Sequence, residues 1–290
     1  MEYLIPRFLC AILTGAILSQ TGSLIQMSTR NILASPSTLG FDGLSVLWIL
    51  FFHGLLLLFG LDQPALMLFF IGMPVFVFVG WIYSGFLNRQ KNIERLILIG
   101  LTFNLLVGAV FSLWQFLFLA FNLPFPIELW FGHFRFSNLE ALTILGIVEL
   151  MILSGWLILK KEFYIFSLGK SVAQNLRLNH KGLFFFLFIA VSIGTFSVIS
   201  LFGAFSFLGL IFPIIARKLW FGKFDLKGEF LIGAFLNGLS LMMIDAVCYF
   251  FPIYGAEIPV GLIATAVGAV SLILLLWKSN HLEILAKVKN

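Results

Sequence analysis

Charge is what this chain lacks most. Only 11% of its 290 residues are charged while 61% are hydrophobic, and the mean hydropathy is +1.07. A soluble globular domain carries about 25% charged and about 45–50% apolar residues, so a soluble enzyme is excluded. Cysteine is nearly absent. Cys10 and Cys248 both lie inside apolar runs, which leaves a disulfide framework and thiol redox chemistry without support. The histidines, His53, His133, His180 and His281, form no HxxxH or HExxH spacing, so the usual zinc signatures are missing and no metal site is expected. Gly169-Lys170-Ser171 looks like the tail of a phosphate-binding loop. The motif needs a glycine five residues before Gly169, however, and that position is Tyr164, with no buried strand ahead of it. Nor does any Ser/His/Asp or paired-carboxylate arrangement support hydrolysis. The N-terminus MEYLIPRFLC has no basic leader, and its apolar run has the length of a membrane span rather than of a cleavable signal.

What the chain has is apolar length. Runs over 3–27, 43–60, 65–87, 96–120, 140–159, 183–201, 204–220, 229–250 and 259–277 predict nine transmembrane helices. At about 20 residues each they leave little for an extramembrane domain, so 1–290 reads as one all-α, polytopic membrane domain. The run 204–220 is the shortest, and its Gly209 and Pro213 predict a half-helix or a bent one. The 36 phenylalanines read as lipid-facing bulk and packing. Alternate loops sort the cations. The segments 28–42, 88–95, 160–182 and 217–228 and the tail 278–290 hold all but Arg7 and Arg135 of the 18 Lys and Arg. The positive-inside rule puts that set in the cytoplasm, with the N-terminus outside and the C-terminus inside. It also accounts for a pI near 9.3 through anionic headgroups rather than nucleic acid.

Helix faces carry the finer signals. Ala11, Gly15, Ser19 and Ser23 repeat every four residues, as do Gly261, Thr265 and Ala269; small residues in this rhythm let helices approach closely. Gly100, Asn104, Gly108 and Ser112 form a small-and-polar stripe flanked by Thr102 and Gln115. An amide at membrane depth needs a partner or water, so the stripe is either glue to a neighbouring helix or the wall of a wet path. His53, Glu149 and Asp245 are ionisable groups at or near membrane depth, and Asp245 is expected to be a paired carboxylate. Within the cytoplasmic loop 160–182, Ser167 to Leu178 fits a short amphipathic helix, for the membrane surface or for a cytoplasmic partner.

Five segments in order add a likeness. IPRFLCAILTGAILSQTGSLIQMSTRNILASPSTLG contains Arg30, Asn31, Pro36 and Gly40; LILIGLTFN contains Gly100 and Asn104; LWFGHF contains Gly132. SLGKSVAQNL, GAFSFLGLIFPIIAR (203–217, with Gly209, Pro213 and Arg217) and AEIPVGLIATAVGA (256–269, with Glu257, Pro259 and Gly261) follow. Together they resemble the membrane permeases of type II ABC importers, the family that takes up ferric siderophores, haem and cobalamin. The resemblance implies ten helices per subunit, the nine spans here matching the second to tenth, with the family's first helix absent. It implies a dimer with a second permease copy or paralogue, two cytoplasmic ATP-binding subunits that carry ATP and magnesium, and no cofactor in this chain. The Gly100–Ser112 stripe would line the path at the dimer axis, and Gly169, Lys170, Ala173 and Leu176 would dock on the ATPase. Arg7 would receive a carboxylate of an extracytoplasmic substrate-binding protein. Leu4 and Tyr249 stand where the family has further arginines, and Arg135 is another outer cation. The motif residues, Asp245 included, would be structural. The implied function is the non-catalytic permease subunit of an ATP-driven importer in a bacterial inner membrane, working by alternating access. Two alternatives stand beside it: an ion- or proton-coupled carrier using Asp245 or Glu149, and a scaffold that does not transport.

Overall fold

The structure is a computed structural model, and it describes residues 4–29, 31–58, 65–89, 93–121, 130–167, 180–219, 226–253 and 256–288. Among these residues all regular structure is helical apart from one isolated bridge between Ile253 and Ala256. The nine helices are α1 (Leu4–Thr29), α2 (Phe41–Leu58), α3 (Ala65–Arg89), α4 (Ile93–Ala120), α5 (Leu139–Ser167), α6 (His180–Phe202), α7 (Leu208–Leu219), α8 (Leu226–Phe250) and α9 (Val260–Val288). Each apolar run has become one helix, as expected. The ends differ from the apolar runs: α5 continues to Ser167 and α9 to Val288, carrying Lys160, Lys161 and most of the tail into helix. Hydropathy marks where a helix leaves lipid, whereas backbone hydrogen bonding stops only where a cap or a break intervenes.

Those breaks are local and legible. Asn138 caps α5, its Oδ1 accepting from the Ala141 N–H at 2.7 Å. Gly203 ends α6 in the left-handed region (φ 85°), where its N–H reaches the Ile199 carbonyl at 2.9 Å. Phe207 also has φ 66°, a costly position for a bulky residue, and α7 starts at the next residue. The run 204–220 is thus a 12-residue half-helix behind an irregular segment.

Two helices form the centre. Of their most apolar windows, 72% of α1 and 78% of α6 is buried, against 17% of α4. α1 packs most extensively on α8, and α3 on α6; α4 rests mainly on α2. The phenylalanines divide: Phe41, Phe134, Phe188 and Phe202 are fully buried in the core, while Phe70, Phe78 and Phe116 point outward.

The close approach of α1 follows from its small residues. A Cβ on Gly15 would lie 2.6 Å from the Asn237 carbonyl oxygen, and one on Gly22 would fall inside the Gly209 carbonyl. Gly233 leaves room for the Ser19 hydroxyl. Asn237 Nδ2 donates to the Gly15 carbonyl at 2.7 Å and Gln26 Nε2 to the Leu210 carbonyl at 2.8 Å. Where hydrocarbon surrounds the helices, such packing and bonding replace the hydrophobic drive of water.

Candidate functional site

Three junctions gather the motif residues. The first is the loop 31–40. Ser35 and Thr38 cap each other: the Ser35 N–H donates to Thr38 Oγ1 at 2.8 Å, and the Thr38 N–H to Ser35 Oγ at 3.1 Å. Asn31 Oδ1 accepts from the Leu33 N–H at 2.9 Å. Pro36 accepts from the Phe41 N–H at 3.0 Å, and Gly40 takes φ 87° to turn the chain into α2. Two helices hold this rigid turn from outside. Tyr83 Oη on α3 donates to the Leu39 carbonyl at 2.8 Å, and Asn104 Nδ2 on α4 donates to the Ser37 carbonyl. Gly100 is buried because a Cβ there would meet the backbone of Thr38 and Leu39.

The stripe on α4 therefore splits. Gly100 and Asn104 grip the loop, Gly108 faces the Trp130 ring, and Ser112 is exposed with its hydroxyl bonded to the Gly108 carbonyl at 2.9 Å. The partner of Asn104 Nδ2 is thus a loop rather than a neighbouring helix.

The second junction lies at the break before α7. The Gly132 N–H donates to the Ala204 carbonyl at 3.0 Å, the His133 N–H to the Phe202 carbonyl at 2.8 Å, and the Gly261 N–H to the Gly132 carbonyl at 2.8 Å. The segments LWFGHF, GAFSFLGLIFPIIAR and AEIPVGLIATAVGA thus meet, though they are far apart in sequence. A Cβ on Gly261 would lie 2.6 Å from the Gly132 nitrogen, which explains a glycine there. Gly209 and Pro213 are buried in α7, and Pro259 precedes α9, accepting from the Leu262 N–H at 3.1 Å.

The third junction is the seam between α1 and α8, closed by ions at both ends. At one end Arg7 Nη2 lies 2.8 Å from Asp245 Oδ1 and 3.0 Å from Glu257 Oε2, with Nε at 2.9 Å from Asp245 Oδ2. Tyr249 stacks on the guanidinium at 4.7 Å. At the other end Arg217 grips Glu229 through Nη2 at 2.6 Å and Nε at 3.0 Å, with Gln26 Oε1 at 3.3 Å. Asp245 is paired, as expected. Arg7, expected to receive a carboxylate of a docking protein, is 1% exposed and engaged with two carboxylates of its own chain. Tyr249, standing where the family has an arginine, helps to hold Arg7 instead.

Between these ends Glu149 on α5 meets Gln20 on α1, whose Nε2 donates to Glu149 Oε1 at 2.7 Å. Among the described residues no group of three or more His, Cys, Asp and Glu is placed to hold a metal ion. Arg30, Gly169, Lys170, Ala173 and Leu176, with the expected helix Ser167 to Leu178 beyond its first residue, lie outside the described residues. Sequence reasoning passed over Tyr83, Gln20, Gln26, Glu229 and Asn237. The amides among them had a signal, since each is a polar group in an apolar run, while Tyr83 had none.

Comparison with known proteins follows the same lines. The model of the FecCD transport family matches residues 1–278. The petrobactin import system permease protein FatD of Bacillus anthracis is 30% identical over 283 residues, covering 95% of this chain and 80% of that protein. The vitamin B12 import system permease protein BtuC of Photorhabdus laumondii is 28% identical over 281 residues, 94% of this chain and 80% of its own length. Among solved structures, a metal-chelate type ABC transporter in an inward-facing conformation superposes with a TM-score of 0.76 at 24% identity, covering 94% of this chain and 85% of that one.

Proposed function

The chain belongs to the FecCD transport family, and from that premise we propose that it is the membrane-spanning permease subunit of an ATP-driven importer for ferric siderophores or a related bulky chelate. One observation carries the reading: the family's scattered motifs converge on tertiary junctions, one bracing the loop 31–40 against α4 and another bracing the broken helix against Gly132 and Gly261. The first ties helix side chains to a loop backbone and the second ties backbone to backbone, and at such joints a small rigid-body shift of one group of helices against another is transmitted without unfolding either.

The mechanism is alternating access. Separate ATPase subunits, which bind ATP and magnesium, press on the basic side of the chain through the segment of Gly169, Lys170, Ala173 and Leu176. Their closure re-aims the helices around a path shared with a second permease copy. α4, the least buried of the long apolar helices, is the face this subunit offers to that path, with Gly108 and Ser112 toward its open half. The basic loops set the orientation, with the N-terminus outside and the C-terminus in the cytoplasm. A binding protein delivers the chelate from the outer side, and since Arg7 is engaged internally, Arg135 is the outer cation proposed to meet it. The carrier alternative loses Asp245, whose carboxylate is already neutralised by Arg7.

Reconstitution tests the proposal. The chain is copurified with its ATPase and binding protein into vesicles, and a ferric chelate is offered outside. Uptake that requires ATP is expected. Uptake that proceeds without ATP and collapses with an uncoupler would overturn it. A bulky insertion at Ala173 is expected to abolish uptake while leaving membrane insertion intact.

A further inference from the structure

Glu149 is 9% exposed and lies ten residues into α5, about 15 Å along the helix at 1.5 Å per residue. Its helix, α1 and α6 pack pairwise against one another. A Cβ on Gly194 of α6 would lie between Thr21 and Ile17 of α1 and Ile152 of α5, each near 3 Å. The carboxyl group is therefore deep in a three-helix junction.

No cation faces it. On α1 the charged group is Arg7, 13 residues from Gln20 and so about 20 Å along the axis, and it is taken by Asp245 and Glu257. On α5 the nearest charged groups are Glu140, nine residues before, and Lys160, eleven after; α6 has no titratable side chain between Leu183 and Phe202. On α8, which reaches α5 where Trp156 stacks on Phe230, Glu229 is bound to Arg217 and Asp245 to Arg7. Cys10 is the remaining titratable group on α1, ten residues from Gln20.

The hydrogen-bond inventory around Glu149 is incomplete in a specific way. Gln20 Nε2 donates to Glu149 Oε1 at 2.7 Å. The other oxygen of each group, Glu149 Oε2 and Gln20 Oε1, is buried without a partner. Both are acceptors when the carboxyl is ionised, so neither can satisfy the other, and two unpaired acceptors share a buried junction. A single proton on Oε2 turns it into a donor. The pair then becomes the closed, doubly bonded ring that a carboxylic acid forms with a primary amide, and both orphaned oxygens are satisfied together.

We propose that Glu149 and Gln20 form a buried proton-binding site in which Glu149 is held as a neutral carboxylic acid, clasping α5 to α1.

Infrared spectroscopy of the purified full chain tests the site. The carbonyl stretch of a protonated carboxyl lies above the amide and carboxylate bands. That band is expected in the wild type at neutral pH, to be lost in Glu149→Gln and kept in Asp245→Asn. Glu149→Gln should fold, since an amide–amide pair closes the same ring. The exchanged pair Gln20→Glu/Glu149→Gln should restore the band. An unchanged band in Glu149→Gln would overturn the proposal. So would stabilisation of the wild type by sodium or potassium that Glu149→Gln lacks, which would mean an ionised, cation-filled or hydrated site. Failure of both Glu149→Gln and the exchanged pair to fold counts against it equally, because a clasp that needs only an acid and an amide tolerates their exchange.

Discussion

The stripes on α1 and α4 have the same four-residue rhythm and opposite fates. On α1, Ala11, Gly15, Ser19 and Ser23 are all buried, with Gly15 so close to the Asn237 carbonyl of α8 that no Cβ would fit and Ser19 beside Gly233. On α4, Gly100 and Asn104 hold one loop, while Ser112 is exposed. The first stripe is an axle around which the bundle is built, and the second is half bracket and half open surface. Small-residue spacing reports that something comes close, and the identity of that neighbour depends on how many helices surround the stripe.

Substitutions can break or sharpen this contrast. Gly22→Leu should have the largest effect, since the Gly209 carbonyl occupies the space and α1 must separate from α7. Loss of folded protein in detergent is expected, measured by size-exclusion recovery. Asp245→Ala comes next. It leaves Arg7 buried and facing only Glu257, and the loss is about 3–5 kcal/mol as for other broken buried pairs. The melting temperature checks it, and Arg7→Leu/Asp245→Leu should recover much of the loss. Asn104→Leu removes the bond to the Ser37 carbonyl and should cost about 1–3 kcal/mol, while uptake per folded molecule holds. Falling uptake at unchanged stability would reassign Asn104 to the open half of the stripe. Ser112→Ala should be the mildest, within about 0.5 kcal/mol in stability, and vesicle uptake shows whether its exposed position matters.

Much of this was legible in the residues. Nine apolar runs became nine helices among the described residues, and Gly209 with Pro213 correctly marked a half-helix. The pairing of Asp245 was expected from its depth, because an ionised carboxylate there needs a counter-charge. The surroundings of Arg7 were not legible: its docking role is what the resemblance implies, whereas the antiparallel register of α1 against α8 sets it beside Asp245. Gln20 and Glu149 were out of reach for a similar reason: they are 129 residues apart, and no local pattern links an amide on one helix to an acid on another.

The sequence by itself determined that this protein is a helical membrane bundle, where its helices run, and which loops carry positive charge. These properties are set by the exchange between each residue and its solvent, lipid or water, and need no knowledge of a partner. Tertiary structure alone decided which stripe became an axle, which arginine was consumed and which acid lacked a cation. Each of those depends on the register of two helices, and a shift of one residue along either would pair different side chains at the same depth.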